Sequence, residues 1–149
     1  MQTPPEFVRQ DGTFQASIEL EGRSIAVSAE LDGESEETSL AFAKSVASSL
    51  ATLERNAKEV AARHLLETYN SGWNEYDQVQ SDGTIVSVCN PTLTPNEFKE
   101  KLSLTSVKVT GNDCVEFWFE ETKMFWGHSI IVTVFDELDW ENADAALFG

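Results

Sequence analysis

Apolar and polar side chains alternate near the start of the chain. Phe14, Ala16, Ile18 and Leu20 interleave with Gln15, Ser17 and Glu19, the period of two that sets one face of a strand against a core and the other in water. Ile25, Val27 and Ala29 resume the pattern after Glu21-Gly22, and Leu31-Asp32-Gly33 ends it. The two runs predict a hairpin, which Phe7-Val8, ahead of Asp11-Gly12, would extend to a three-stranded meander. From about Thr38 the period becomes helical. Phe42, Val46, Leu50, Leu53, Ala57, Val60 and His64 recur at three or four positions and fall on one face. Glu34, Glu36 and Glu37 crowd the positive end of the helix dipole, and Asn70-Ser71-Gly72 supplies the stop. Glu54 with Lys58, and Glu59 with Arg63, form acid-before-base pairs expected on the outer surface. If unbroken, this helix holds about 30 residues and spans ~45 Å, enough to cross a sheet.

Beyond Trp73 the pattern weakens. Asp82-Gly83 marks a turn, and Ile85, Val86, Val88 and Cys89 predict one short strand. Thr94-Pro95-Asn96-Glu97 is a capping box with Pro at the first helical position, so a short helix covers Phe98 to Leu102. Val107 and Val109 then alternate up to Gly111-Asn112-Asp113, which turns the chain into Val115, Phe117 and Phe119, a second hairpin. Ser129 to Phe135 is apolar on both faces and predicts a central strand. The tail after Asp136 is acidic yet ends in Ala145-Ala146-Leu147-Phe148-Gly149, too apolar for a solvated end, so it should pack back onto the body. Hairpins in place of alternating crossovers argue one α+β domain over residues 1–149: a two-layer sandwich with an antiparallel or mixed sheet of about six strands, packed on one long helix plus a short helix.

Composition sharpens the picture. Apolar residues make up 41 % of 149, with nine Phe and four Trp, enough for a core that needs no disulfide or metal staple. Cys89 and Cys114 lie far apart and are expected as buried, reduced thiols. Met1-Gln2-Thr3-Pro4-Pro5 has no basic or apolar leader, and no apolar run approaches the ~18 residues of a membrane span, so a cytoplasmic location is expected. The extreme feature is charge: 26 Asp and Glu against 10 Lys and Arg give −16. Such a surface repels phosphate backbones and favours a basic protein over a nucleic acid as partner.

Candidate chemistry is sparse. The chain has no glycine-rich phosphate loop, dinucleotide fingerprint, Gly-x-Ser-x-Gly elbow or His-Glu-x-x-His. His128, after Phe125-Trp126-Gly127, is the single catalytic candidate, with Glu116, Glu120 or Asp136 as carboxylate partners. The plainer expectation is that its ring bonds a backbone carbonyl and fixes a strand start. His64, on the apolar face of the helix, is expected as a satisfied core or core-edge side chain. Cys89, Cys114, His64 and His128 are zinc-ligand types, but no two form the close pair that structural zinc uses, so no metal or cofactor is expected. Acids flanking Cys114 argue against it as a nucleophile. Asp136, Glu137, Asp139, Glu141 and Asp144 form the densest acidic run, without the ladder of a calcium loop. Residues 112–149 hold nine carboxylates against Lys123, interleaved with Trp118, Trp126 and Trp140. Trp118, Glu120, Glu121, Trp126, Asp136, Glu137, Asp139, Trp140 and Glu141 are therefore the candidate binding residues, because aromatic anchors inside complementary charge are what fast protein association uses.

Phe117-Trp118-Phe119, Met124-Phe125-Trp126-Gly127-His128-Ser129-Ile130-Ile131-Val132 and the terminal Leu147-Phe148-Gly149 resemble a bacterial family of small proteins known only as a domain of unknown function. The likeness covers residues 104–149 best and, more loosely, the N-terminal strands and long helix. It brings no activity and no functional residues. By analogy, some small acidic bacterial proteins of this look are immunity proteins that neutralise secreted toxins. Three expectations therefore compete: a non-enzymatic acidic protein-binding module, of which an immunity protein against a basic toxin is one form; a hydrolase or metal-dependent enzyme centred on His128; and a homodimerising structural domain.

Overall fold

A computed structural model describes residues 6–31, 33, 35–111, 113–121, 124–136 and 138–149, with the backbone alone at 121. The expectations that fell on Asp32, Glu34, Asn112, Lys123 and Glu137, and on the first five residues, lie outside these described residues. The N-terminal alternation forms the predicted meander: β1 (Val8–Gln10), β2 (Thr13–Leu20) and β3 (Arg23–Glu30), joined by two tight turns. Asp11 and Glu21 adopt positive φ in these turns, each followed by a glycine that does the same, the geometry that keeps the turn in step with strand twist. The second hairpin is β6 (Leu102–Thr110) with β7 (Cys114–Glu121), and β8 (Ser129–Phe135) and β9 (Asp144–Phe148) extend it antiparallel. β3 pairs β6 in parallel, because the chain between them makes a long crossover. The result is a seven-stranded mixed sheet in the order β1-β2-β3-β6-β7-β8-β9. The apolar tail does pack back, as the edge strand β9.

The expected long helix is two helices. α1 (Glu36–Ser48) and α2 (Leu50–Thr68) meet at Ser49, whose φ of −110° and ψ of 19° leave the helical region. The Ser49 N–H is shared between the carbonyls of Ser45 and Val46 at 3.2 Å, a tightened last turn that closes α1 where Ser48-Ser49 offers poor helix formers. Apolar periodicity cannot detect such a break, since the buried positions continue through it: Val46, Leu50, Leu53, Ala57 and Val60 are all buried. The start of α1 is as expected. Ser35 caps it by accepting from the Thr38 N–H at 3.1 Å, and Glu36 and Glu37 lie in its first turn. After α2 the chain makes a π-helical turn over Tyr69–Trp73.

Two of the surface pairs are rearranged. Glu54 does meet Lys58 at 3.3 Å, yet it is buried and both its carboxylate oxygens accept from Nη2 of Arg23 in β3, at 3.0 and 3.2 Å. This charge pair therefore ties helix to sheet instead of decorating the surface. Glu59 pairs with Lys99 rather than with Arg63, which bonds the Trp140 carbonyl at 3.3 Å.

Residues 73–90 hold more than one strand. β4 (Glu75–Val79) and β5 (Ile85–Cys89) form a hairpin separate from the main sheet, so the described residues form nine strands, seven of them in the main sheet, where about six were expected. β4 was illegible because Glu-Tyr-Asp-Gln-Val has only two apolar side chains. The capping box is present in both directions and starts α3 (Pro95–Glu100), which ends before Leu102 because that residue opens β6. Asn70 accepts from the Leu93 N–H at 2.8 Å and donates to its carbonyl at 3.0 Å, while Asn74 donates to the Asn90 carbonyl at 3.0 Å. The connection into α3 is thus pinned to the π turn at both ends. Cys89 is exposed and Cys114 half-buried, so neither is the buried thiol expected.

One apolar cluster lies between the helices and a single face of the sheet, with Phe117, Phe119, Ile25, Val27, Val107, Val109, Ile130 and Val132 at most 1 % exposed. Burying each large side chain of this kind stabilises the fold by about 1.5–3 kcal/mol. No described helix is long and apolar enough to cross a membrane.

Candidate protein-docking face

Period-two alternation gives the sheet two different faces. Phe117 and Phe119 point to the helices, so Glu116, Trp118 and Glu120 point the other way. Across β6, β7 and β8 the outward residues are all half-buried or exposed and none is buried. β8 is accordingly amphipathic, not buried on both faces as its composition suggested: its residues alternate between half-buried and buried along most of the strand. The far face of the sheet carries no layer of secondary structure among the described residues.

That open face has a chemical pattern. Register places Ser106, Trp118, Ile131 and Ala146 side by side on four adjacent strands. Phe148, opposite Ser129, meets the Trp118 ring edge-on, with centroids 5.3 Å apart and planes at 76°. Phe148 is 58 % exposed, which is unusual for a ring with an aromatic partner already beside it. Thr105 is the extra residue where the β6–β7 register shifts, and its hydroxyl donates to the Trp118 carbonyl at 3.0 Å. Such a bulge increases local twist and aims the neighbouring side chains. Glu19, Glu30, Glu116 and Glu120 occupy outward positions on the same face, against Lys108 as the one cation among the described residues, and Lys108 already lies 3.9 Å from Glu30.

The binding candidates do not form one patch. Trp118 and Glu120 belong to the open face. Trp126 lies past the β7 end of the sheet, and Asp136, Asp139 and Glu141 lie past the other end of β8, a strand length of about 20 Å away. Trp140 packs on the inward Phe117, with centroids 5.6 Å apart, and so belongs to the core margin. Asp139 accepts from Asn142 at 2.7 Å. Of Glu121 only the backbone is described. Ile131 and Phe148, which complete the apolar row, were missed: strand alternation would have placed Ile131 beside Trp118, and the apolar tail was the available signal for Phe148.

Trp126 has its own peculiarity. Its φ is +55° and that of Gly127 +87°, and the His128 N–H bonds the Phe125 carbonyl at 3.1 Å. Two successive left-handed residues closed by that bond make a type I′ turn, which favours Asn-Gly and strains a bulky first residue. The indole held there is 53 % exposed and lies edge-on to Tyr76 at 5.2 Å. Beneath it Phe125 is fully buried among the rings of Tyr69, Trp73 and Phe98.

His128 follows the plainer expectation. Its Nδ1–H donates to the Phe125 carbonyl at 2.7 Å, and its ring lies edge-on to Trp73 at 5.6 Å. No described carboxylate forms an ion pair with it. His64 is more exposed than a core-edge residue, with Nε2 3.2 Å from the Ala143 carbonyl and Nδ1 3.6 Å from Asp144, so it fastens β9 to α2. Burial raises the Cys114 thiol pKa, with Glu116 and Asp113 adding to the effect and Lys108 opposing it, the direction expected from its acidic flanks. Among the described residues no three His, Cys, Asp or Glu side chains converge as a metal would require.

The profile of a bacterial protein family, described as uncharacterized protein conserved in bacteria (DUF2262), matches residues 6–144. No curated protein and no solved structure matches the chain.

Proposed function

Because the chain belongs to the DUF2262 family, which carries no activity over to it, we propose from its own geometry that it is a non-enzymatic binding module for a basic protein. The observation that carries this reading is the open sheet face, where Trp118, Ile131 and Phe148 form an apolar row flanked by Glu116 and Glu120. Aromatic anchors supply most of the energy of protein association, and a rim of one sign selects the partner and speeds encounter. A net charge of −16 adds long-range attraction for a cationic surface. An immunity protein that neutralises a basic bacterial toxin is the form of this function we favour, and a toxin gene immediately upstream would support it.

Affinity capture from the native host, at low and at high salt, tests the reading. The expected result is a basic protein retained at low salt, weakened at high salt, and lost with Trp118→Ala or with Glu116→Lys combined with Glu120→Lys. Capture of nothing, or of a partner indifferent to both salt and these substitutions, rejects it.

A further inference from the structure

The β4–β5 hairpin stands apart from the seven-stranded sheet, and two strands of five residues are marginal on their own. Its exposed side chains are the wrong kind for a solvated arm: Val79 is 69 % exposed, Ile85 67 % and Val86 45 %. Val79 and Ile85 are cross-strand partners and share one face. Proteins usually protect a free strand edge with charge, proline or a bulge. β4 has Glu75 and Asp77 along its free edge. β5, Ile85-Val86-Ser87-Val88-Cys89, has no such protection and is rich in β-branched residues.

The hydrogen bonds define which backbone groups are free. Gln80 donates to the Thr84 carbonyl at 2.7 Å, and Asn90 to the Asn74 carbonyl at 2.7 Å. With the register Tyr76–Val88 and Gln78–Val86 between them, antiparallel alternation turns the N–H and C=O groups of Val86 and Val88 toward β4 and those of Ile85, Ser87 and Cys89 outward. Electrostatics then selects the occupant. From Gln78 to Asn96 the chain carries a single charge, Asp82, while the molecule carries −16. β5 itself is uncharged, and the nearest carboxylates, Glu75 and Asp77, stand on β4, a full strand spacing back from its free edge, so this edge gives a basic partner little to hold, yet two like-charged copies can meet there.

We propose that β5 pairs antiparallel with β5 of a second copy about a two-fold axis through Ser87, joining the two hairpins into one four-stranded sheet. Ile85 then lies opposite the partner's Cys89, and Ser87 opposite its own counterpart. The contact is isologous, so it closes at a dimer instead of propagating. Because each copy is strongly acidic, added salt tightens this dimer, whereas it loosens the capture of a basic protein. The two proposals therefore fail separately.

Sedimentation and light scattering of the whole protein across the micromolar range test the pairing at low and high salt. The wild type should show twice the 16.5 kDa chain mass, with the dimer fraction rising with salt. Ser87→Pro removes the outward N–H without touching the bonds to β4 and should give a single-chain mass. Ser87→Asp keeps that N–H and opposes two carboxylates at the axis, so it should do the same, and it decides the matter if proline disturbs the hairpin. A wild type that stays at one chain mass, or a dimer that Ser87→Asp leaves intact, overturns the proposal.

Discussion

Replacing Trp118 with alanine should cost the fold far less than replacing Phe117, although the two are neighbours in β7. Phe117 is fully buried and touches the Trp140 ring; truncating a phenylalanine at such a site removes its transfer energy and leaves a cavity, together about 3–5 kcal/mol. Trp118 is half-buried on the face that no helix covers. It gives up the edge contact with Phe148, on the order of 0.5–1.5 kcal/mol, and a partial burial of similar size, for a total of about 1–3 kcal/mol. For a chain of this length that is a fall in melting temperature of roughly 3–9 °C, against about 9–16 °C for Phe117→Ala. Urea unfolding followed by far-ultraviolet circular dichroism measures both, and an unchanged slope confirms that each variant alters stability alone. If Trp118→Ala proves as damaging as Phe117→Ala, the indole is a core residue, and the face it stands on is not open.

Other expectations follow from the same geometry. Glu54→Ala leaves Nη2 of Arg23 without the carboxylate it bonds inside the helix–sheet contact and should cost about 2–3 kcal/mol by urea unfolding, less than for a fully buried pair because Arg23 is partly solvated; Glu59→Ala, at the surface, should cost under about 0.5 kcal/mol. Thr94→Ala should cost about 1 kcal/mol at neutral pH. The backbone N–H and then the hydroxyl of Thr94 hold the Glu97 carboxyl below its ordinary pKa, so its contribution is present above the ordinary value of about 4.3 and is lost as pH falls through the lower folded value. Alanine keeps the backbone N–H and loses the hydroxyl alone, so the stability gap between wild type and Thr94→Ala should shrink only slightly in acid, and a gap that widens would contradict the assignment. Exposed Cys89 should react with a thiol reagent well before Cys114, whose pKa is raised by burial and by acidic neighbours; mass mapping at mildly alkaline pH reads the order directly.

Local chemistry made much of the fold legible in the sequence. Period-two runs located β2, β3, β6 and β7, a run apolar throughout located β8, and Thr94 with Glu97 announced α3. What escaped has physical reasons. The helix break at Ser49 left the apolar stripe intact, so periodicity had nothing to register. β4 is half charged or amide-bearing and gains strand geometry only by pairing with β5. Glu54 seemed a surface acid because helical spacing reveals Lys58 but not Arg23, thirty-one residues earlier and on another element. The candidate site was half visible: alternation of Glu116, Trp118 and Glu120 with Phe117 and Phe119 implied an outward indole among acids, whereas nearness in sequence wrongly grouped it with Asp136, Asp139 and Trp140, which the β8 strand carries away from it. Phe148 joins Trp118 through the β8–β9 register, a long-range fact that no local pattern contains.

Footprinting of the complex with the captured partner tests the docking face most directly: carbodiimide labelling of carboxylates together with hydroxyl-radical oxidation of aromatic side chains, with and without the partner. Trp118, Phe148, Glu116 and Glu120 should be protected, with Asp136 and Glu141 labelled as in the free protein. Protection at Asp136, Asp139 and Glu141 with Trp118 still fully reactive would place the contact past the end of β8 and off the open face, and would contradict this reading.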